Sequence, residues 1–208
     1  MDCFKKLFGG SKPAPEIKPD PEIVPQPAPI KPSNLHQEMA DLYYRCTIRP
    51  ERLNEVQRIC AKIRDNRGRY QAIEIKTGVP WYAIGAIHHK EASLDFRAYL
   101  GNGQLIIGTG KKSTIVPIGR GPFSSFEEGA IEALGNQKGK DWSLGNLLYF
   151  LEGYNGFGYR AHGINTPYLY AATTAYSKGG YPRDHFFDPN HVVKNPGCAA
   201  IFKGLSLF

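Results

Sequence analysis

The sequence predicts an α+β domain that is mainly helical, preceded by an extended N-terminal segment. Apolar residues recur at helical spacing over much of the chain after residue 34, whereas β-forming residues are concentrated in one glycine-rich stretch. Eight of the sixteen prolines fall within residues 11–34. Of the 208 residues, 41% are hydrophobic, which is enough for a packed core, and no long apolar run predicts insertion into a membrane. We therefore expect a segment of residues 1–34 and a folded domain of residues 35–208.

The N-terminal segment is predicted to be a flexible, proline-rich tether. Proline fixes φ and lacks the N–H that a β-ladder needs, so residues 11–34 should be extended and mostly polyproline II. Such a tether can join the domain to a larger assembly through residues 1–10, and an idle linker is the alternative. Residues 1–10 contain two lysines with no apolar stretch after them, so we expect no cleaved signal peptide.

The charge balance favours an anionic partner. Lys and Arg number 26 and Asp and Glu 19, which gives a formal net charge of +7. The bacterial cell wall, anionic lipid and nucleic acid all fit this charge, and a merely soluble basic surface is the alternative. No dense Lys/Arg block and no basic-aromatic recognition motif is present, so we expect no nucleic-acid partner. None of the four cysteines forms a CxxC pair, which excludes a zinc ribbon or thioredoxin motif.

The predicted helices have recognisable starts and stops. Asn34 is a suitable N-cap for the first helix, and Pro50 stands at a first-turn position that tolerates proline. Gly78 stops the third helix, and the capping box from Ser125 to Glu128 starts another. The expected helices cover residues 35–46, 50–65, 66–77, 80–92, 125–134 and 142–154, with a short closing helix near 189–201.

The β part of the prediction is a small sheet or hairpin over residues 97–118. This stretch is rich in glycine and contains two groups of β-formers, at residues 105–107 and 114–116.

A single carboxylate lies on the apolar stripe of the fourth predicted helix. If that helix begins at Pro80, then Ile84, Ile87 and Glu91 follow one face at spacings of three and four residues. Burial disfavours a charged carboxylate, and so does the negative C-terminal end of a helix. A glutamic acid that stays protonated near neutral pH is suited to general acid catalysis. The alternative is that Glu91 pairs with a basic side chain.

Residues 78–96, GVPWYAIGAIHHKEASLDF, resemble the catalytic-helix signature of the lysozyme superfamily. They are similar to goose-type lysozymes and soluble lytic transglycosylases, in which a helix led by Val-Pro ends in Glu-Ser or Glu-Ala-Ser. Residues 149–156, YFLEGYNG, resemble the Tyr-Asn-Gly helix end of the same enzymes. The overall likeness is to phage and prophage lysozyme-like endolysins, and residues 88–104, 116–130 and 153–170 carry it.

The resemblance implies a lysozyme-like fold, with a helical lobe, a small β-hairpin lobe and a saccharide cleft between them. It also implies cleavage of the β-1,4 bond between N-acetylmuramic acid and N-acetylglucosamine in peptidoglycan, without a cofactor. Glu91 would protonate the leaving glycosidic oxygen through an oxocarbenium-like transition state. Either water, in a hydrolase, or the muramic 6-hydroxyl, in a lytic transglycosylase, would complete the reaction.

The setting implied for such an enzyme is a bacteriophage. Without a signal peptide, the protein would stay in the producer cytoplasm until release, as an endolysin, or travel on the virion. In the second case residues 1–34 would bind other particle proteins.

A second catalytic residue is harder to place. Asp95 is expected to cap the end of its helix or to pair with Arg97. The predicted hairpin contains no aspartate, so a water held by the Thr114 hydroxyl is the candidate, and the absence of any base is the alternative.

The candidate substrate-binding residues lie in one aromatic, glycine-rich stretch. Sugars need flat apolar faces and hydrogen-bonding groups, which Tyr154, Asn155, Tyr159 and His162 supply. Tyr154 and Asn155 coincide with the motif of the resembled enzymes. The alternative is that Tyr154 fills the core and Asn155 only caps a helix.

Two other functions compete with the glycosidase. A zinc peptidase is not expected, because the adjacent His88 and His89 do not form an HExxH motif and point about 100° apart on a helix. A non-catalytic lysozyme-fold protein that binds the cell wall, or builds the virion, remains the alternative.

Overall fold

The computed structural model describes residues 32–183 and 185–208. These residues form eight α-helices, two 3₁₀ helices and one two-stranded antiparallel sheet, so the predicted mainly helical α+β class is confirmed. The part of the expected tether up to residue 31 lies outside the described residues. None of the described helices has the length and apolarity needed to cross a membrane. The helices are α1 (Pro32–Arg45), α2 (Leu53–Asp65), α3 (Arg67–Thr77), α4 (Trp81–Ala92), α5 (Phe126–Leu134), α6 (Leu144–Asn155), α7 (Pro167–Tyr170) and α8 (Cys198–Gly204), the 3₁₀ helices are Pro50–Arg52 and Gly158–His162, and the strands are β1 (Gly180–Arg183) and β2 (Phe186–Asp188).

Several predicted helix boundaries follow from local signals. Gly78 ends α3 in the left-handed conformation at φ 80°, and its N–H donates to the Glu74 carbonyl at 2.7 Å. The Ser125 hydroxyl accepts from the Glu128 N–H at 3.2 Å and so caps α5 as predicted. The first helix begins earlier than expected, at Pro32, so Asn34 lies within its first turn and is not the N-cap.

Helix α4 lies at the centre of the helical part and packs against α2, α3 and α8. Ile84 and Ile87 are completely buried. At Gly85 the helix comes so close to α2 that a Cβ would lie 2.6 Å from Cγ2 of Ile63. Only glycine permits this approach. The position of the C-terminal end of α4 is therefore fixed by packing on three sides.

The predicted hairpin over residues 97–118 is wrong, because these residues form turns and bends without strand pairing. Glycines at positive φ interrupt the stretch repeatedly, as at Gly108 and Gly110, and Pro117 lacks a donor for a ladder. Side chains link its two halves, and one of them is Asn102, whose Nδ2 donates to the Ile115 carbonyl at 3.1 Å. The Thr114 N–H donates to Gln104 Oε1 at 2.8 Å, and Gln104 Nε2 donates to Thr114 Oγ1 at 2.7 Å.

The two-stranded sheet lies instead near the C-terminus. Strands β1 and β2 pair antiparallel, with Gly180 opposite Asp188 and Arg183 opposite Phe186. The closing helix was expected near 189–201 but begins only at Cys198. Asn195-Pro196-Gly197 precedes it, and a residue before proline is disfavoured in the helical region.

Residues 97–124, here called the small lobe, have a hydrophobic cluster of their own. Tyr99, Ile106 and Phe123 are buried together, and the rings of Tyr99 and Phe123 stack at 4.9 Å between centroids. The Tyr99 hydroxyl donates to Glu132 on α5, and Arg120 forms an ion pair with the same carboxylate at 3.1 Å. Glu132 of α5 therefore binds two residues of the small lobe, and Leu100 of the same lobe is buried in the main core.

Two buried histidines on α4 make stability dependent on pH. Burial lowers the pKa of both His88 and His89 from 6.5 to about 4. Near pH 6.5 the two histidines therefore become protonated in the unfolded chain but stay neutral in the folded chain. Their contribution to the free energy of unfolding should be fully present above pH 6.5. It should be lost as the pH falls toward 4, by about 3 kcal/mol for each histidine.

Urea denaturation at a series of pH values tests this expectation. His89→Gln should lose less stability than the parent between pH 6.5 and 4. The matched control His185→Asn changes an exposed histidine at positive φ and should follow the parent. Parallel curves for the parent and His89→Gln would contradict the assignment.

Candidate active site

Glu91 ends the buried stripe of α4, as the sequence predicted. Its neighbours on the stripe are fully buried, and Glu91 itself is half-buried one residue before the helix ends. Its Oε1 accepts a hydrogen bond of 2.8 Å from the hydroxyl of Tyr168, a buried residue of α7. Burial raises the pKa of Glu91, and the Tyr168 hydrogen bond and the Lys90 charge offset part of that effect. The net result is a carboxyl that holds its proton above the usual pH range.

The lysine next to Glu91 does not neutralise it. Lys90 Nζ donates to the Asn195 carbonyl at 3.3 Å and lies 5.4 Å from the centre of the Tyr168 ring. Burial lowers the pKa of Lys90. Within residues 32–183 and 185–208, no ion pair within 4.0 Å includes Glu91. Lys90 thus interacts with a backbone carbonyl and with the ring of Tyr168, the residue whose hydroxyl contacts Glu91.

The small lobe packs directly on the end of α4. Gly103 has φ +72°, and a Cβ there would lie 2.8 Å from the backbone oxygen of Glu91. The next residue is Gln104, whose side chain binds Thr114. Thr114 is exposed, and its hydroxyl accepts from Gln104. The structure thus places Thr114 in the lobe that packs on Glu91, with Gln104 and Gly103 between Thr114 and the Glu91 backbone.

Tyr154 connects α6 to the same place. It is half-buried, and its hydroxyl donates to the Leu100 carbonyl in the small lobe at 3.4 Å. Burial raises the pKa of Tyr154, and the nearby carboxylates of Glu91 and Glu132 raise it further. Tyr154 therefore lies close enough to Glu91 and Glu132 for their charges to act on its hydroxyl.

The other predicted binding residues form a separate group. Asn155 is exposed and, with Tyr159 and Tyr181, lines a pocket of about 560 Å³. His162 lies 3.0 Å from the Tyr181 hydroxyl through Nε2 and stacks on Phe187 at 3.7 Å between ring centroids. The structure thus groups Asn155, Tyr159 and His162 with the β1–β2 sheet, and it groups Tyr154 with Glu91.

The structure brings in two residues that the sequence did not predict for the site, Glu132 and Tyr168. The predicted hairpin contains no aspartate, but the carboxylate next to the small lobe is Glu132 of α5, which binds Tyr99 and Arg120. Tyr168 was one of several aromatic residues in its stretch, and no local pattern marks it as the partner of Glu91. Asp95 pairs with Arg97 at 2.6 Å, as expected, and this contact lowers its pKa to about 2.

The described ranges contain no group of three or more His, Cys, Asp or Glu side chains that could hold a metal ion. The three cysteines among these residues are buried free thiols.

We expect Gly103→Ala to destabilise the protein more than Gly108→Ala. Both glycines have φ +72°, so the conformational strain of an alanine, about 1–2 kcal/mol, is shared. A Cβ at Gly108 meets nothing within 4 Å, whereas at Gly103 it meets the Glu91 carbonyl. The clash should add about 1–3 kcal/mol to the loss in the free energy of unfolding, measured in urea. Equal losses would show that the small lobe does not pack on the end of α4.

We expect Tyr168→Phe to raise the pKa of Glu91 further, because it removes a hydrogen bond that favours the charged form. Carboxyl ¹³C chemical shifts followed through a pH titration give this value directly. Tyr170→Phe is the matched control, since the Tyr170 hydroxyl donates to the Met39 carbonyl and not to Glu91. An unchanged pKa in Tyr168→Phe would contradict the contact.

Similarity to known proteins gives no further information on this site. Comparison of the chain with protein-family models, with curated proteins and with solved structures finds no match. The geometry at Glu91 and the sequence motifs around it are therefore the observations that bear on function.

Proposed function

We propose that this protein is a peptidoglycan glycosidase with a lysozyme-like fold, in which Glu91 is the general acid. It cleaves the β-1,4 bond between N-acetylmuramic acid and N-acetylglucosamine. The observation that supports this most directly is the half-buried Glu91 carboxyl, whose pKa is raised and which Tyr168 contacts at 2.8 Å. The resemblance of residues 78–96 and 149–156 to the lysozyme superfamily supports the choice of substrate.

The first chemical step is protonation of the leaving oxygen. Glu91 donates its proton to the glycosidic oxygen as the bond from that oxygen to the anomeric carbon breaks, and the bonding electrons leave with the oxygen. The sugar becomes oxocarbenium-like, and Glu91 becomes a carboxylate. The Tyr168 hydroxyl donates to Glu91 Oε1 and stabilises this charged product state.

The second step adds a nucleophile to the anomeric carbon. Water gives a reducing end, and the muramic 6-hydroxyl gives an anhydro end. In either case the oxygen that attacks loses its proton to Glu91, which restores the acid. Thr114 and Gln104 belong to the adjoining lobe and are the polar groups proposed to position water in the hydrolytic route.

The proposed partner is bacterial peptidoglycan, and the net charge of +7 fits an anionic wall. We place the protein on the phage side of infection, either as an endolysin released from the producer cytoplasm or as a virion-associated lysin. In the second setting, residues 1–34 carry the contact with particle proteins.

Glu91→Gln should lower the rate of peptidoglycan cleavage by about 10²–10⁴-fold, because glutamine keeps the shape but cannot donate the proton. Mass spectrometry of the digested wall measures the rate and distinguishes reducing from anhydro ends. The matched control Glu51→Gln changes an exposed residue of the 3₁₀ turn and should cleave at the parent rate. Thermal unfolding checks that both variants fold.

Two results would contradict this proposal. Cleavage by Glu91→Gln at the parent rate would remove Glu91 from the chemistry. Absence of cleavage by the parent, together with retained binding to walls, would favour a non-catalytic cell-wall-binding or virion protein.

A further inference from the structure

An exposed apolar tip on the small lobe lies between basic residues. It consists of Leu105, Ile115, Val116 and Ile118. We propose that this tip binds the surface of a membrane that contains anionic phospholipids. Its apolar side chains enter the lipid interface, and the lysines beside them lie at the level of the phosphates. The inference goes beyond the proposed glycosidase and does not depend on Glu91.

The side chains of the tip are exposed although they are large and aliphatic. Val116 and Ile118 keep 80% and 70% of their surface exposed, and Leu105 and Ile115 keep 56% and 51%. Twelve large hydrophobic side chains are exposed within residues 32–183 and 185–208, and four of them fall between positions 105 and 118. Single exposed apolar residues are common on soluble proteins, whereas a cluster of them marks a site of interaction.

Hydrogen bonds of Ser113 close the loop that presents the tip. The Ser113 N–H donates to the Arg120 carbonyl at 2.9 Å, and the Gly119 N–H donates to the Ser113 carbonyl at 2.9 Å. The Ser113 hydroxyl donates to the Pro117 carbonyl and accepts from the Arg120 N–H. The loop is therefore closed at its base by polar contacts, while its apolar side chains stay exposed.

The charges around the tip are positive. Lys111 and Lys112 directly precede the loop and are exposed. The sequence contains no Asp or Glu from residue 96 to residue 126. Among the residues that the structure describes, neither lysine forms an ion pair within 4.0 Å, whereas Arg120 is bound by Glu132 at 3.1 Å. Basic residues beside exposed apolar ones are the combination that an anionic lipid surface attracts and holds.

A lipid surface fits this tip better than other anionic partners do. The tip is a narrow loop, whereas a stable protein interface buries about 800 Å² on each partner. Its aliphatic side chains offer no flat ring on which a sugar could stack. A soluble anionic polymer would use the lysines and leave the apolar side chains in water. Lipid chains, in contrast, adapt to a convex apolar tip, and such peripheral binding needs no membrane-spanning helix.

Sedimentation of the full-length protein with vesicles tests this inference. The parent should bind vesicles of equal parts phosphatidylglycerol and phosphatidylcholine saturably, and bind pure phosphatidylcholine vesicles at least about tenfold more weakly. Lys111→Gln and Lys112→Gln should each weaken binding about fivefold. The double variant Val116→Ser/Ile118→Ser should weaken it by about tenfold or more, because it removes apolar surface that the lipid would cover.

Helix α3 provides matched controls for both kinds of change. Ile75 is 69% exposed, and the neighbouring Lys76 is exposed as well. Ile75→Ser and Lys76→Gln should therefore bind the anionic vesicles as the parent does. Thermal unfolding checks that all variants fold.

A fluorescent label distinguishes insertion from attraction of charge alone. Cys46, Cys60 and Cys198 are buried, so in Cys3→Ser/Val116→Cys the thiol at position 116 is the one that reacts. A nitrobenzoxadiazole label at this position should brighten on anionic vesicles, because its surroundings become apolar. The same label in Cys3→Ser/Ile75→Cys should not brighten.

Three results would overturn the inference. The first is a parent protein that does not bind anionic vesicles. The second is equal binding by the parent and by folded Val116→Ser/Ile118→Ser. The third is binding that depends on Lys111 and Lys112 without brightening of the label at position 116, which would assign this surface to a soluble acidic partner.

Discussion

The burial of α4 is the constraint on which the rest of the molecule depends. The helix packs against α2, α3 and α8, and at Gly85 it approaches α2 too closely for any side chain. A helix held on several sides cannot rotate or slide without opening the core, because protein interiors are close-packed. The direction of Glu91 at its end is therefore set by hydrophobic contacts several residues away. Tyr168 and the small lobe then complete the surroundings of a carboxyl whose position is already fixed.

The groups around Glu91 come from distant parts of the chain, so the site forms only when the domain folds. Tyr168 is 77 residues away in sequence, and Tyr154 reaches the small lobe across 54 residues. Gly103 contributes backbone only, at the one place where a Cβ would meet the Glu91 carbonyl. Tyr168 and Gly103 thus meet the end of α4 directly, through a hydroxyl and a bare backbone, whereas Tyr154 joins α6 to the small lobe at the Leu100 carbonyl.

The parts of the fold that sequence analysis predicted well are those with local causes. Gly78 and Ser125 mark helix ends through contacts within four residues, and the stripe leading to Glu91 follows from helical period alone. The hairpin was predicted wrongly because the side chains of Asn102 and Gln104 link the two halves of this stretch, where a strand pair would use backbone hydrogen bonds. The pairing of Tyr168 with Glu91 has no signal in spacing, since it arises only when α7 packs in the folded domain. Asn155 and Tyr154 are neighbours in sequence but turn toward different pockets at the end of α6.

The separate hydrophobic cluster of the small lobe has a consequence for motion. Tyr99, Ile106 and Phe123 form a unit that shares no buried residue with the main core. Local opening free energies follow the number of buried apolar contacts in a unit, so we expect this small cluster to open more often than the helices. We also expect its amide hydrogens to exchange through partial openings that leave α4 intact. The chain thus combines a closely packed support for one carboxyl with a neighbouring lobe that is held by Leu100 in the main core and by Glu132 on α5.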